Sequence, residues 1–147
     1  MKIIEIEELQ NFLENQKAAT IAVPIDENGT IHAASLLYWN SIDPFNFYFV
    51  TSRDTEKCAL LKDARKITCA VVVGTEKGTD FTLQMRGNIQ EVEPKDFSKE
   101  LDAYYQKRGN RQDDIDDPAT CILQFSPTWA RYTDYSQGYN RDFIDLS

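Results

Sequence analysis

The sequence predicts a mainly β protein, a small antiparallel barrel of six strands with flanking α-helices. Three observations predict it: β-favouring runs of five to ten residues recur along the chain, short turn signals such as Asn28-Gly29 join most of them, and few segments show helical spacing. The 147 residues are 41% apolar and 12% aromatic, which suffices for one packed core. No linker or repeat interrupts them, so residues 1–147 are predicted to form a single domain.

The first predicted element is an amphipathic helix over residues 6–16, where Leu9, Phe12 and Leu13 recur at three- and four-residue spacing. A second helix-favouring segment covers residues 55–63, and a third begins near Pro94 and ends before Gly109, with Leu101, Tyr104 and Tyr105 as its packing stripe. The predicted strands lie at residues 19–25, 30–39, 45–51, 66–73, 80–92 and 120–125, the last of which resumes at 129–135.

Two of these strands have distinctive patterns. The run "KITCAVVV" at 66–73 is predicted to be buried on both faces. The run "DFTLQMRGNIQEV" at 80–92 alternates with period two, so that Leu83, Met85 and Ile89 share one face. Its length suggests a bend at Gly87, where the missing side chain permits a bulge or a close backbone approach.

Charge and cysteine content narrow the function classes. A formal net charge of −8 and a pI near 4.6 oppose binding to phosphate backbones or anionic lipid, so we expect no nucleic-acid and no membrane partner. Three widely spaced cysteines and a single histidine offer no zinc-ligand spacing, and no metal is expected. The N-terminus lacks a signal-like apolar stretch, and reduced, buried thiols fit a cytoplasmic protein.

The segment "VTSRDTEK" carries the strongest local signal for a ligand site. A helix N-terminus stabilises an anion through its unpaired amides and its dipole, and Thr51, Ser52 and Thr55 can add hydroxyl donors. Arg53 and Lys57 can supply positive charge for a phosphate monoester. The alternative is an ordinary helix cap flanked by solvated surface charges, which the local pattern alone favours.

The order of these segments resembles the pyridoxamine 5'-phosphate oxidase-like flavoproteins, the FMN-binding split barrels. The resemblance covers about residues 12–94 and rests on a hairpin, a strand ending in Thr51, a helix start with Thr55 and Lys57, and a long strand with Gln84 and Gly87. The C-terminal "PTWARYTDYSQGY" is also similar to the closing strand of many members. The segments that bind substrate in the oxidase itself are not matched, so the resemblance does not extend to that substrate.

The resemblance implies a six-stranded split β-barrel that forms a homodimer, with one FMN in each of two clefts at the subunit interface. It also implies an oxidoreductase acting on an unidentified small molecule. The helix start would hold the FMN phosphate, the second strand would line the isoalloxazine ring, and a long-strand side chain would bond its pyrimidine edge. The residues so assigned to the cofactor are Ala34, Ser35, Leu36, Thr51, Ser52, Arg53, Thr55, Lys57, Thr82, Gln84, Trp129 and Arg131.

Several alternatives remain open at this stage. Trp129 can equally pack in the core or the dimer interface, and Arg131 can pair with Asp134. Related split barrels bind the deazaflavin F420 or haem; His32 is the candidate axial ligand for haem, although a strand-edge role suits its position better. A further possibility is a module that binds flavin without catalysis or has a stress-related role. An oligonucleotide-binding barrel is another, and the acidic net charge disfavours it.

Overall fold

The computed structural model describes residues 2–52, 54, 66–76, 79–109, 118–136, 138 and 140–146. This part of the chain contains nine strands, two α-helices and a 3₁₀ turn at Pro94–Asp96. The strands are β1 Lys2–Ile3, β2 Ala18–Pro24, β3 Ile31–Leu37, β4 Trp39–Ile42, β5 Phe45–Ser52, β6 Ile67–Val73, β7 Phe81–Val92, β8 Thr120–Asp134 and β9 Asn140–Phe143. The helices are α1 Ile6–Asn15 and α2 Ser98–Arg108.

The strands form one curved, almost wholly antiparallel sheet that makes a half-barrel. Its order is β1-β9-β8-β7-β6-β2-β3, and β5 pairs with both β4 and the first half of β8. Only β1 and β9 run parallel. The mainly β prediction and all six predicted strands are confirmed, and the predicted helix at 55–63 lies outside the described residues.

The strand count is where the prediction was wrong, because three short strands were missed. β1 and β9 have two and four residues, too few to show alternation. β4 shares only Trp39 with the predicted strand 30–39, which breaks at Tyr38, and its other three residues lie between the predicted strands. The Tyr38 ring is buried and its hydroxyl donates to the Leu13 carbonyl at 2.6 Å, so β4 separates from β3 and pairs with β5.

The main core lies on the inner face of the half-barrel, with α1 covering one end. Leu9, Phe12 and Leu13 of α1 are buried there, as the helical spacing predicts. The prediction that β6 is buried on both faces was wrong. Its burial alternates strictly, and Thr68 is exposed, because no described segment covers the outer side of the sheet at this strand.

A bulge bends the two longest strands where Gly87 was expected to permit it. The register shifts between Arg86 and Gly87, so that Thr128 of β8 has no direct partner. A Cβ at Gly87 would lie 2.2 Å from the Ser126 carbonyl oxygen, so only glycine allows the backbones to approach this closely. The bend divides β8 into a half that pairs with β5 and a half that pairs with β9.

Helix α2 packs on the outer side of the sheet near β5. Leu101, Tyr104 and Tyr105 are buried against Ile122, which confirms the predicted packing stripe. The helix ends at Gly109, whose φ of 96° suits glycine.

Two of the three cysteines lie in the described residues and both are buried. Cys69 belongs to β6 and Cys121 to β8. Burial raises the pKa of Cys69 to about 12, so its thiol stays protonated at neutral pH. The prediction that the cysteines are buried is confirmed for this pair, and Cys58 lies outside the described residues.

Candidate functional site

The outer face of the sheet brings several predicted site residues into register. Strand alternation turns Leu83 and Met85 into the core, so Thr82, Gln84 and Arg86 of β7 lie on the opposite side. Direct pairing across five strands forms two rows on this outer face. One row comprises Ser35, Thr20, Val72, Gln84 and Arg131; the other comprises Ala33, Ala22, Ala70, Arg86 and Trp129.

Gln84 and Arg131 are joined side chain to side chain at the centre of this face. The Arg131 Nε–H donates to Gln84 Oε1 at 3.1 Å, and an Nη2–H donates to the same oxygen. Gln84 Nε2 in turn donates to Thr82 Oγ1 at 3.1 Å. The predicted alternative, in which Arg131 pairs with Asp134, is not what the structure shows, since Asp134 Oδ1 instead accepts from the Ser136 amide and hydroxyl.

Trp129 stands beside this pair on the outer face. The Arg86 guanidinium carbon lies 4.2 Å from the centroid of its ring, and that of Arg131 lies at 5.4 Å. The Phe143 ring meets it edge to face at 6.4 Å. Trp129 is only half-buried, so it does not belong to the core, and two guanidinium groups lie within cation–π distance of its indole.

A buried hydroxyl adjoins the same cluster. Thr133 pairs directly with Thr82 across β7 and β8, and it is 2% exposed. Its Oγ1 has no hydrogen-bond partner among the residues that the structure describes. An orphaned polar atom of this kind marks a place where a polar group from a ligand, a partner or water is expected.

The ring-lining residues expected on β3 divide between the two faces. Ser35 is exposed on the outer face, whereas Ala34 and Leu36 are partly buried against the core. Strand alternation is the reason, because neighbouring side chains of β3 point to opposite sides. Only backbone atoms of Ala34 and Leu36 are therefore available to a ligand on the outer face.

The predicted phosphate corner is described only in part. Thr51 and Ser52 end β5, where they pair with Cys121 and Thr120; Thr51 is half-buried and Ser52 is exposed. Arg53, Thr55 and Lys57 lie outside the described residues. The placement of the first two hydroxyls at a strand end agrees with the sequence prediction.

The phosphate corner and the Gln84–Arg131 pair adjoin opposite ends of β8. Ser52 pairs with Thr120, which is eleven residues from Arg131 on the same strand, and at about 3.3 Å per residue this is a path of roughly 35 Å along the strand. β8 stays paired with β7 on both sides of the bulge, and the two strands bend there together.

A cavity of about 480 Å³ opens next to Trp129 and was not foreseen from the sequence. Trp129, Phe143, Ile144 and Leu146 supply its apolar walls, and Asp145 is its charged residue. Only Trp129 carried a signal in the sequence. Phe143 ends the four-residue strand β9 and the other three follow it, and this segment has no recognisable pattern of its own.

A second cavity, of about 130 Å³, is lined by Lys17, Lys107 and Arg108 together with Tyr38. Lys107 Nζ donates to the Leu13 carbonyl at 3.0 Å and lies 3.7 Å from the centroid of the Tyr38 ring. Burial lowers the pKa of Lys107 to about 8, while the carboxylates of Glu76 and Glu14 act in the opposite direction. These cations come from separate segments, so the sequence did not predict their convergence.

The described part of the chain contains neither a metal-ligand cluster nor a helix that could span a membrane. No three His, Cys, Asp or Glu side chains there come together as a metal site would require. None of its helices combines the length and the apolar content needed to cross a bilayer.

No protein-family model and no curated protein sequence matches the chain. Solved structures do match. A conserved hypothetical protein from Mycobacterium tuberculosis superposes with a TM-score of 0.70 at 15% identity, over 92% of this chain and 88% of that one.

Two further structures belong to proteins of the general stress protein 26 type. General stress protein 26 from Bacillus anthracis gives a TM-score of 0.64 at 15% identity, covering 92% of this chain and 96% of its own. A related protein from Clostridium acetobutylicum, described as of the pyridoxinephosphate oxidase family, gives 0.64 at 21% identity over 95% and 94%. The chain has the split-barrel fold of these proteins.

Proposed function

We propose that this chain is an FMN-binding flavoprotein that transfers hydride or electrons to or from a small molecule. The observation that carries the proposal is the outer-face cluster of Thr82, Gln84, Trp129 and Arg131, which two strands hold in contact and which the family resemblance had assigned to the cofactor. The names of the neighbours, which include general stress protein 26 and a pyridoxinephosphate oxidase family protein, support the same reading.

The outer face suits the demands of a flavin. A flavin ring needs a flat apolar surface and a few fixed polar groups for its pyrimidine edge. The phosphate of FMN needs a separate binding site that is rich in hydrogen-bond donors. The Trp129 indole offers the flat surface and Arg131 offers donors. Thr51 and Ser52 would contact the phosphate. When bound, FMN supplies the hydride or electron transfer, and the chain binds and orients it.

The separation of the two predicted regions supports a site shared between protomers. Arg131 is eleven residues along β8 from Thr120, the partner of Ser52, which is a path of roughly 35 Å measured along the strand. We therefore propose a homodimer in which one protomer contributes the phosphate corner and its partner the Gln84–Arg131 pair. The small side chains of Ala22, Ala33 and Ala70 would let the second copy approach this face closely.

Thermal denaturation with added ligand tests the proposal. A ligand present at a hundred times its dissociation constant stabilises the fold by about 2.7 kcal/mol, which corresponds to a rise in Tm of about 8 °C for a chain of this size. We expect this rise with FMN and a smaller one with riboflavin, which lacks the phosphate. No shift with FMN and no visible flavin spectrum in the purified protein would overturn the proposal.

Visible absorption spectra extend the same test to the alternatives and to catalysis. F420 and haem have spectra distinct from that of FMN, so the spectrum of the purified protein identifies which of the three it carries. Bleaching of the flavin bands on adding NADH or NADPH would show redox activity, whereas a spectrum that neither donor changes would support a protein that binds flavin without using these donors.

A further inference from the structure

The hydrogen-bonding capacity of Gln84 is almost fully used within the protein. Its Oε1 accepts two donors from Arg131, and one of its two Nε2–H groups donates to Thr82 Oγ1. A carboxamide oxygen has two lone pairs, so Oε1 has none left for a ligand. A single N–H remains, which is a poor basis for direct recognition of a ring edge.

Arg131, in contrast, keeps most of its donors. A guanidinium carries five N–H groups in a planar fork, and Gln84 takes two of them, leaving three on the outer face. The fork is also supported from the side by the Trp129 ring, whose centroid is 5.4 Å away. A guanidinium that is already oriented loses little conformational entropy when it binds a ligand.

We propose that Gln84 is a positioning residue that orients Arg131, and that Arg131 binds two adjacent acceptor atoms of the ligand. This inference rests on the proposed function, in which those acceptors belong to the pyrimidine edge of the flavin. It replaces the sequence-based expectation that Gln84 itself bonds that edge.

Thr82 completes the arrangement by fixing which end of the Gln84 carboxamide meets Arg131. Because Nε2 donates to Thr82 Oγ1, the acceptor Oε1 faces the guanidinium. The opposite orientation would set N–H donors against N–H donors. Thr82 thus orients Gln84, Gln84 orients Arg131, and only Arg131 needs to contact the ligand.

A double-mutant cycle on FMN affinity tests the inference. We expect Arg131→Ala to weaken FMN binding by about tenfold or more, as for loss of hydrogen bonds from a charged group. We expect Gln84→Ala to weaken it by about threefold to tenfold, the cost of ordering one side chain on binding, because Arg131 would keep its charge and lose its fixed orientation. In the Arg131→Ala background, Gln84→Ala should cause no further loss, because Gln84 acts through Arg131. Losses that multiply instead would show independent contact and overturn the inference.

The conservative variant gives a second readout. Gln84→Glu keeps an acceptor for Arg131, so we expect its FMN affinity to lie closer to wild type than that of Gln84→Ala. If Gln84 donated directly to the flavin, the carboxylate would lack the donor and Gln84→Glu would bind no better than Gln84→Ala. Gln90→Ala, on the same strand and face but paired with Gln124, is the matched control and should leave affinity unchanged.

Failure of the inference and failure of the proposed function give different results. Wild-type protein that binds FMN while the two losses multiply overturns only the positioning role of Gln84. Wild-type protein that binds no FMN overturns the proposed function, and this inference with it. Circular dichroism spectra of all variants establish that each has folded before its affinity is compared.

Discussion

Replacing Gly87 by alanine should destabilise the protein strongly, because the new methyl group would meet backbone on the neighbouring strand. A Cβ there would lie 2.2 Å from the Ser126 carbonyl oxygen, 2.7 Å from Pro127 Cα and 2.9 Å from the Ser126 carbonyl carbon. No flexible side chain can move aside to relieve these contacts. The strands must separate or twist at the bulge, which weakens the adjoining ladder hydrogen bonds.

The expected size of the effect follows from that geometry. Overpacking in a closely packed site costs roughly 1–3 kcal/mol. Because the new Cβ would clash with three backbone atoms, we expect Gly87→Ala to lie near the upper end, at about 3 kcal/mol. At about 3 °C per kcal/mol for a chain of this size, the Tm should fall by about 9 °C. Urea unfolding gives the free energy directly, and a midpoint shift without a change in m-value would attribute it to the native state.

Gly29→Ala is the matched control for this substitution. Gly29 has a φ of 83° and nothing lies within 4 Å of a Cβ built on it, so its replacement tests backbone strain without a steric clash. We expect a loss of about 1 kcal/mol at that turn. If Gly87→Ala were no more destabilising than Gly29→Ala, the close approach of β7 and β8 would be refuted.

Three other predictions concern the Lys107 cluster and the phosphate corner. Burial lowers the pKa of Lys107 to about 8 against 10.5 for an unperturbed lysine, so between these pH values the unfolded chain binds more protons than the folded one. The free energy of unfolding of the wild type, relative to that of Lys107→Met, should therefore rise by about 1 kcal/mol from pH 8 to pH 10, after allowance for partial solvent screening. Urea titrations at each pH measure this difference. A flat difference would contradict the burial of the amine. Tyr38→Phe removes the hydrogen bond to the Leu13 carbonyl and should cost about 1 kcal/mol, or about 3 °C in Tm; an unchanged Tm would argue against that bond. Ser52→Ala should weaken FMN binding by about threefold to tenfold in a fluorescence titration and leave the binding of riboflavin unchanged. Equal losses of affinity for both ligands would show that Ser52 does not contact the phosphate.

Much of the fold was predictable because alternation and turn residues report local structure. The pattern of β7 identified both its buried face and the bend at Gly87, and the helical stripe of α2 identified its packing residues. Strand β4 was missed because three of its four residues lie between the predicted strands and are too few to show alternation. The break at Tyr38 was missed because it depends on a tertiary contact with Leu13, which no local pattern records.

The candidate site was predictable in its residues but not in its contacts. Gln84 and Arg131 were each assigned to the cofactor, yet their pairing depends on the register of β7 against β8 across a bulge. A slip of one residue would turn either side chain into the core, and the sequence does not fix that register. Arg86 lies two residues beyond Gln84 on the same face, and alternation alone would have placed it there.

A crystal structure of the protein with FMN tests the central claim most directly. The account predicts the isoalloxazine ring on the outer face of the sheet, with acceptor atoms of its pyrimidine edge about 3 Å from the Arg131 guanidinium and its phosphate at the Ser52 end of β5 in the partner protomer. Flavin bound away from Arg131, or crystals grown with saturating FMN that contain none, would contradict it.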